Sequence, residues 1–162
     1  MMSDLRLVLT GVLLLATFVP AGGRGQSRES AHLPDRFEFF EGHAYMGSDS
    51  VKWEHDKLVF VKRVADMSGK GSFAETKEEL SPSPQAWQRF GARIEALCVW
   101  QWKADYSDPK RGGTDGESWA LTLRVGAKQV KSKGYNGVPD NYSEFRKAVY
   151  KLMEGARHHE RE

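Results

Sequence analysis

The sequence predicts an α+β domain in which two amphipathic helices pack on one face of an antiparallel sheet. Three observations indicate this class. Apolar residues alternate with polar ones in several short segments, which is the period of a strand. Two segments instead repeat apolar residues every three or four positions, which is the period of a helix. Short turn-forming stretches separate neighbouring strand segments, which favours antiparallel pairing.

Strand patterns come first in the predicted domain. Residues 36–40 are rich in aromatic groups, 51–55 alternate apolar with polar residues, and 58–64 form a β-branched run. A tight connection at 55–57 joins the last two into a hairpin. Residues 72–79 predict a polar strand at the edge of the sheet.

The first helix is predicted to begin at Pro84. Ser83 is a typical N-cap, and proline suits the first helical position. The inward stripe that follows consists of Trp87, Phe90, Ile94 and Leu97.

Cys98 follows this helix and is the single cysteine, so no internal disulfide forms. Because its neighbours are apolar, we expect a buried thiol rather than a reactive nucleophile. Alternation from 99 to 104 predicts another strand. We expect Trp100, Trp102 and Trp119 to belong to the core rather than to a sugar-binding or partner-binding surface.

A second hairpin and a second helix complete the predicted domain. Residues 119–125 alternate, Gly126 and Ala127 turn the chain, and 128–133 return. A loop at 134–138 then leads to a helix that opens at Pro139. The inward residues of that helix are Tyr142, Phe145, Val149 and Leu152. Their spacing matches the first helix, which indicates either two duplicated strand-strand-strand-helix units or the general likeness of capped amphipathic helices.

The amino terminus has the pattern of a secretory signal peptide over residues 1–23. An uncharged run from Leu7 to Pro20 follows Arg6, and small residues after it suit cleavage behind Ala21 or Gly23. An uncleaved anchor is the rival, but the run is shorter than the roughly 20 residues that cross a bilayer. We therefore expect a periplasmic or secreted protein with no stable membrane insertion after cleavage.

The rest of the chain divides into a disordered spacer at 24–32, one α+β domain at 33–154 and a polar tail at 155–162. The formal net charge is +2, and the charges are interspersed. This balance does not favour a nucleic-acid partner.

The weak binding candidates are Gly134, Asn136, Gly137 and Pro139. They lead into a helix N-terminus, where free backbone N–H groups favour an anion. Alternatively, the two glycines and Asn136 only supply the backbone conformations that a strand-to-helix turn requires.

No catalytic residue, metal ligand or cofactor is assigned from the sequence. His43 and His55 are the histidines best placed to act as bases, but no serine lies in a Gly-x-Ser-x-Gly elbow. His55 alternates with Trp53, which favours packing at a strand end. Four acidic residues gather in one loop without the spacing of a calcium-binding loop; they are Asp105, Asp108, Asp115 and Glu117.

Two motifs in the second half carry a resemblance. Residues 115–123 begin Asp-Gly-Glu-Ser-Trp-Ala-Leu, and 132–139 end Gly-Tyr-Asn-Gly-Val-Pro before the aromatic Tyr142 and Phe145. The chain resembles a group of uncharacterised bacterial exported proteins and lipoproteins with an Asp-Gly-x-x-Trp-x-Leu strand and a Gly-x-Asn-x-x-Pro turn before a C-terminal helix. The resemblance implies a bacterial exported domain without an assigned activity. This chain lacks the lipidation cysteine of the lipoprotein members.

The leading hypothesis is therefore a non-enzymatic exported domain that contacts a protein or cell-envelope partner. Its sheet, or the loop from Gly134 to Pro139, would make the contact. The alternative is a small secreted hydrolase or enzyme inhibitor that uses His43 or His55.

Overall fold

The computed structural model describes residues 33–43, 45–66, 72–108, 110 and 116–159. The predicted signal peptide, the spacer up to residue 32 and the end of the predicted tail lie outside these residues. The strands of the described part are β1 (Arg36–His43), β2 (Gly47–Glu54), β3 (Lys57–Ala65), β4 (Phe73–Leu80), β5 (Glu117–Val125) and β6 (Lys128–Tyr135). Its α-helices are α1 (Pro84–Ala96) and α2 (Tyr142–His159).

The six strands form one sheet in the order β4-β3-β2-β1-β5-β6, and every neighbouring pair is antiparallel. This confirms the predicted α+β class. Four strands precede α1, whereas two strands lie between α1 and α2. The helices therefore do not close two equivalent three-strand units.

Both helices lie on one face of the sheet, as the contacts of β1 show. The Phe37 ring packs on Trp87 and Phe90 of α1 at centroid distances of 6.3 and 5.3 Å. The Phe39 ring packs edge-on against Phe145 of α2 at 5.3 Å. Because alternate residues of a strand share a face, both helices cover the same side of β1.

The start of α1 is as predicted. The Ser83 hydroxyl oxygen accepts the backbone N–H of Ala86 at 3.2 Å, and Pro84 is the first helical residue. The predicted stripe from Trp87 to Leu97 is buried.

Helix α2 differs from the prediction at both ends. It begins at Tyr142 rather than at Pro139, whose carbonyl accepts the Tyr142 N–H at 3.0 Å in the preceding turn. It continues to His159, past residue 155, where the polar tail was predicted to start. The reason is packing, since Ala156 is fully buried.

The predictions of a buried Cys98 thiol and of a strand from 99 to 104 are both wrong. Residues 99–101 form a 3₁₀ turn, and Cys98 adopts a left-handed conformation with φ of 50°. The Cys98 thiol is exposed, and Val99 takes the buried position instead. Left-handed backbone commonly ends a helix, and here the Cys98 N–H donates to the carbonyl of Glu95 at 2.9 Å.

The tryptophan residues divide between core and surface. Trp119 is 4% exposed and lies in the core, as expected. Trp102 is half-buried, with its ring 5.7 Å from that of Trp119. Trp100 is also half-buried and donates its indole N–H to Glu95 at 2.9 Å.

Residues 104–108 run beside β6 and cover part of its outer edge. The N–H groups of Tyr106 and Asp108 donate to the carbonyls of Lys133 and Tyr135 at 2.9 and 3.0 Å. In return, Lys133 N–H donates to the Ala104 carbonyl at 3.1 Å. Strand β4 forms the other edge, and its residues are mostly exposed.

Candidate functional site

The loop that follows β6 is held by contacts within the chain. Asn136 has a positive φ of 57°. Its backbone N–H donates to the Glu117 carbonyl at 2.9 Å, and its side-chain oxygen accepts the Glu117 N–H at 3.0 Å. Asn136 therefore closes the open end of the β5–β6 pair.

The two glycines of this loop permit close packing. A Cβ on Gly137 would lie 1.9 Å from the Tyr106 carbonyl oxygen, and one on Gly134 would lie 2.4 Å from Nε1 of Trp119. The Trp119 indole N–H donates to the Gly137 carbonyl at 2.8 Å. These contacts account for both glycines without a ligand. Asn136 and Gly137 nevertheless border the cleft described below.

The two candidate histidines lie at opposite ends of the sheet. His55 is exposed in the turn between β2 and β3, where it and Asp56 have φ values of 48° and 60°. The expectation that His55 packs at a strand end is wrong. His55 and Asp56 form a two-residue turn, which needs positive φ at both positions, so His55 belongs to the exposed turn and not to the strand. His43 ends β1, and its Nδ1 accepts the Tyr45 N–H at 3.4 Å.

The serines nearest to His43 along the sheet point away from it. Ser118 and Ser48 are each paired with Gly42, the residue before His43. Since neighbouring residues of a strand point to opposite faces, both serines lie on the face opposite His43 and the helices. The Ser118 hydroxyl donates to the Gly42 carbonyl at 3.4 Å.

An open cleft of about 970 Å³ lies on the helix side of the sheet at the end where β1 meets β2. The ends of β1, β2, β3 and β5 form one wall, and the start of α2 with the loop after β6 forms the other. Its charged lining is balanced between acidic and basic groups. They are Glu41, Asp49, Glu117, Lys62, Arg63 and Arg146.

A hydrogen-bonded group of side chains forms the inner part of the cleft. Glu41, whose side chain is 16% exposed, accepts hydrogen bonds from Arg146 Nε at 2.7 Å and from the Tyr150 hydroxyl at 2.9 Å. The same hydroxyl lies 2.6 Å from Oδ2 of Asp49. Glu41 and Asp49 are directly opposite on β1 and β2. A phenol has one proton, so the two carboxylates compete for it, and Arg146 offsets part of their repulsion.

Two phenols at the cleft resist ionisation. Burial, and after it the charge of Glu41, raises the pKa of Tyr142 well above its usual value. Partial burial, followed by the hydrogen bonds with Asp49 and Glu41, does the same to the pKa of Tyr150. Both phenols therefore stay protonated at neutral pH and serve as hydrogen-bond donors rather than as bases.

Exposed apolar side chains gather at the same end of the sheet, which we call the Met46 end. Of the eight large apolar side chains exposed in the described part, six lie there, at the strand ends and in the adjoining turns. They are Tyr45, Met46, Val64, Phe73, Tyr135 and Val138. Met46 is 71% exposed and, with Val64 and Val138, lines the cleft. This group was not predicted from the sequence, although the apolar pair Tyr45–Met46 between two strands is a local sign of it.

The acidic loop does not form a metal site in the described residues. Asp105 Oδ1 accepts the N–H of Ser107 at 2.8 Å, and Asp108 Oδ1 accepts the N–H of Lys110 at 3.0 Å. Asp115 lies outside the described residues. In the part of the chain that the structure describes, no three side chains of His, Cys, Asp or Glu are placed to hold a metal ion.

Fold and cleft together define an α+β domain with an open, charge-balanced cleft at one end of its sheet. No model of a known protein family matches the chain, and it has no significant similarity to a curated protein. Neither described helix is long and apolar enough to cross a membrane.

Proposed function

We propose that the protein is an exported, non-enzymatic domain that binds a protein or cell-envelope partner through the Met46 end. The observation that carries the proposal is that three exposed apolar side chains, Met46, Val64 and Val138, line the cleft together. A scattered exposed apolar residue needs no explanation, whereas a contiguous patch rimmed by polar groups is typical of an interaction surface.

The chemistry of the patch suits a partner rather than a small substrate. Met46, Val64 and Val138 give the cleft an apolar rim, and methionine adapts its shape to different partners. Arg146 and Glu41 also line the cleft and offer charged hydrogen bonds to polar groups. An apolar contact with polar groups beside it is the usual composition of a protein interface.

Export is supported by the first residues of the sequence. Arg6, the uncharged run from Leu7 to Pro20 and the small residues after it have the composition of a cleaved signal. The resemblance to exported bacterial proteins agrees with this. Amino-terminal sequencing of protein recovered from outside the cytoplasm tests the point: the mature chain should begin at Gly22 or Arg24, and a chain that still begins at residue 1 would contradict it.

The binding test compares two ends of the sheet. Immobilised protein is incubated with cell-envelope fractions, and retention is compared for the wild type, Met46→Asp and Leu33→Asp. Leu33 is the matched control because it is 48% exposed and precedes β1 at the other end. Met46→Asp should lose retention, because a charge would enter the apolar contact, and Leu33→Asp should keep it. Equal retention by both variants would contradict the proposed surface.

A hydrolase remains the alternative, and one observation favours it. His43 lies in the cleft with Glu41, Glu117 and Ser143 among its lining residues. A panel of ester, peptide and glycoside substrates tests it directly. Turnover by the wild type that His43→Ala abolishes would replace the binding proposal, and turnover is not expected.

A further inference from the structure

The sheet face opposite the helices carries a shallow trough at the Met46 end. Its floor is a cross-strand row in which Arg63, Ser48, Gly42 and Ser118 are successive neighbours on β3, β2, β1 and β5. These positions alternate with residues that face the helices, so the row faces outward. The middle of the row has short side chains and two hydroxyl groups.

Two aromatic rings border this floor. Phe40 precedes Gly42 on the same face of β1, and its ring leans over the glycine: a Cβ on Gly42 would lie 2.8 Å from Cζ of Phe40. Phe73 begins β4 and is 50% exposed. The space between the rings and the row measures about 250 Å³. This is slightly below the roughly 300–1,000 Å³ of pockets that take drug-sized ligands, and it suits a single ring-sized unit.

The polar groups of the trough carry little net charge. Arg63 Nε donates to Glu75 at 2.7 Å across β3 and β4, which balances the guanidinium charge. A guanidinium has five N–H donors, so its terminal nitrogens can still donate. Ser48 and Ser118 add hydroxyls that both donate and accept. An uncharged ligand rich in hydroxyl groups matches this set.

From this geometry we infer that the trough binds one pyranose ring of a glycan. The sugar's C–H face stacks on Phe40, because the negative face of an aromatic ring attracts polarised C–H groups. Phe73 on β4 lies three strands from Phe40 and borders the other side of the trough. The sugar's hydroxyls bond with Ser48, Ser118 and the Arg63 guanidinium. The inference goes beyond the proposed function, because it assigns a second site, on the opposite face of the sheet from the cleft, to a carbohydrate.

A peptide is the less suitable occupant of the trough. Stable protein interfaces bury roughly 800 Å² on each partner. Charged pairs border the trough on the β4 side, where Arg63 meets Glu75 and Lys77 meets Glu79. A protein that spread beyond the trough would have to desolvate both pairs, whereas one sugar ring reaches only Arg63 and leaves Lys77 and Glu79 in water.

The test titrates the purified protein with chitotriose, cellotriose and maltotriose and follows it by two-dimensional NMR. We expect saturable shifts of the Phe40, Ser48, Phe73 and Ser118 signals with at least one sugar. A dissociation constant on the order of 1 mM is expected for a single-ring site. Phe40→Ala should weaken binding about tenfold or more, which corresponds to the loss of one stacking contact.

Two further variants keep the outcome clear. Phe73→Ser changes an exposed ring at the edge of the sheet, so it tests the far side of the trough with little effect on folding. Thr122→Ala on the same face of β5, two rows from Ser118, is the matched control and should bind like the wild type. No saturable shift with any of the three sugars overturns the inference. So does sugar binding that Phe40→Ala and Phe73→Ser leave unchanged, or binding of an apolar peptide at these residues without any sugar.

The two proposals can fail separately, because Met46 lines the cleft but not the trough, whereas Phe40 and Phe73 line the trough but not the cleft. If no sugar binds while Met46→Asp still abolishes retention of the envelope partner, the glycan inference is wrong and the proposed function remains. If sugars bind and Met46→Asp keeps full retention, the trough is a glycan site and the cleft is not the partner surface.

Discussion

Replacing Gly137 by alanine tests whether the loop after β6 is a structural element. A Cβ at this position would lie 1.9 Å from the Tyr106 carbonyl oxygen and 3.1 Å from the Tyr106 carbonyl carbon. The neighbour is backbone, so no side-chain rotation relieves the clash. Either the loop or the segment from 104 to 108 must move.

The magnitude follows from what that movement breaks. Inserting a methyl group into a packed site costs about 1–3 kcal/mol. The Trp119 indole N–H, which donates to the Gly137 carbonyl at 2.8 Å, loses its partner while Trp119 remains in the core. An unsatisfied buried donor costs about 1–3 kcal/mol more. Gly137→Ala should therefore lower the free energy of unfolding by roughly 2–6 kcal/mol, a large part of the 5–15 kcal/mol of a typical domain.

Urea denaturation followed by tryptophan fluorescence measures this change, since Trp119 itself reports on the loop. Gly91→Ala is the matched control: it lies in α1 with no atom within 4 Å of an added Cβ. That variant should gain about 0.5–1 kcal/mol from the better helix propensity of alanine. If Gly137→Ala unfolds at the same urea concentration as the wild type, the close approach to Tyr106 is not a constraint and our account of the glycine fails.

Two further predictions concern the cap of α1 and the phenols of the cleft. Ser83→Ala should lower the free energy of unfolding by about 1 kcal/mol in the same urea assay, because it removes the acceptor of the Ala86 N–H. Ser83→Asp should recover most of that stability, since aspartate also caps a helix. Equal loss of stability in both variants would refute the role of Ser83 as a cap. The pKa values of Tyr142 and Tyr150 in the folded protein are raised above the value of about 10 in the unfolded chain. The two protonated phenols therefore stabilise the fold fully below pH 10, and this stabilisation is lost as pH rises through the folded-state pKa values. The combined Tyr142→Phe and Tyr150→Phe variant should therefore lose less stability than the wild type above pH 10, and parallel pH curves would show that these phenols are not responsible.

The fold class followed from the sequence because its signals are local. The β5–β6 pair was predicted from alternation on both sides of Gly126 and Ala127, and α1 from Ser83, Pro84 and one apolar stripe. Each of these features is complete within about 20 residues of chain. The predicted polar edge strand was likewise confirmed as β4.

The errors arose where a distant residue decides the local conformation. Residues 99–104 alternate as a strand would, but the Asn141 side chain donates to the Leu97 carbonyl and accepts the indole N–H of Trp102. These contacts accompany the left-handed Cys98 and the 3₁₀ turn that exposes its thiol. Asn141 lies about 40 residues further along the chain, so no local pattern could indicate them.

The cleft was missed for the same reason. Glu41 meets Arg146 and Tyr150 across 105 and 109 positions of sequence. The spacing between such residues carries no information until the order of the strands is known. His43 was a candidate from residue type alone, and only the register of β1 shows that it faces the cleft while Ser48 and Ser118 face away.

The pairing of residues 104–108 with β6 bears on how copies of this chain could associate. The edge of β6 from Lys133 to Tyr135 already has hydrogen-bond partners, whereas β4 at the far side of the sheet is exposed. Two copies joined through their β4 strands would share one continuous twelve-stranded sheet, since each contributes six strands. That junction uses the exposed β4 edge of both copies. Further strand pairing would then be limited to the part of β6 before Lys133, because residues 104–108 already pair with the rest of that edge.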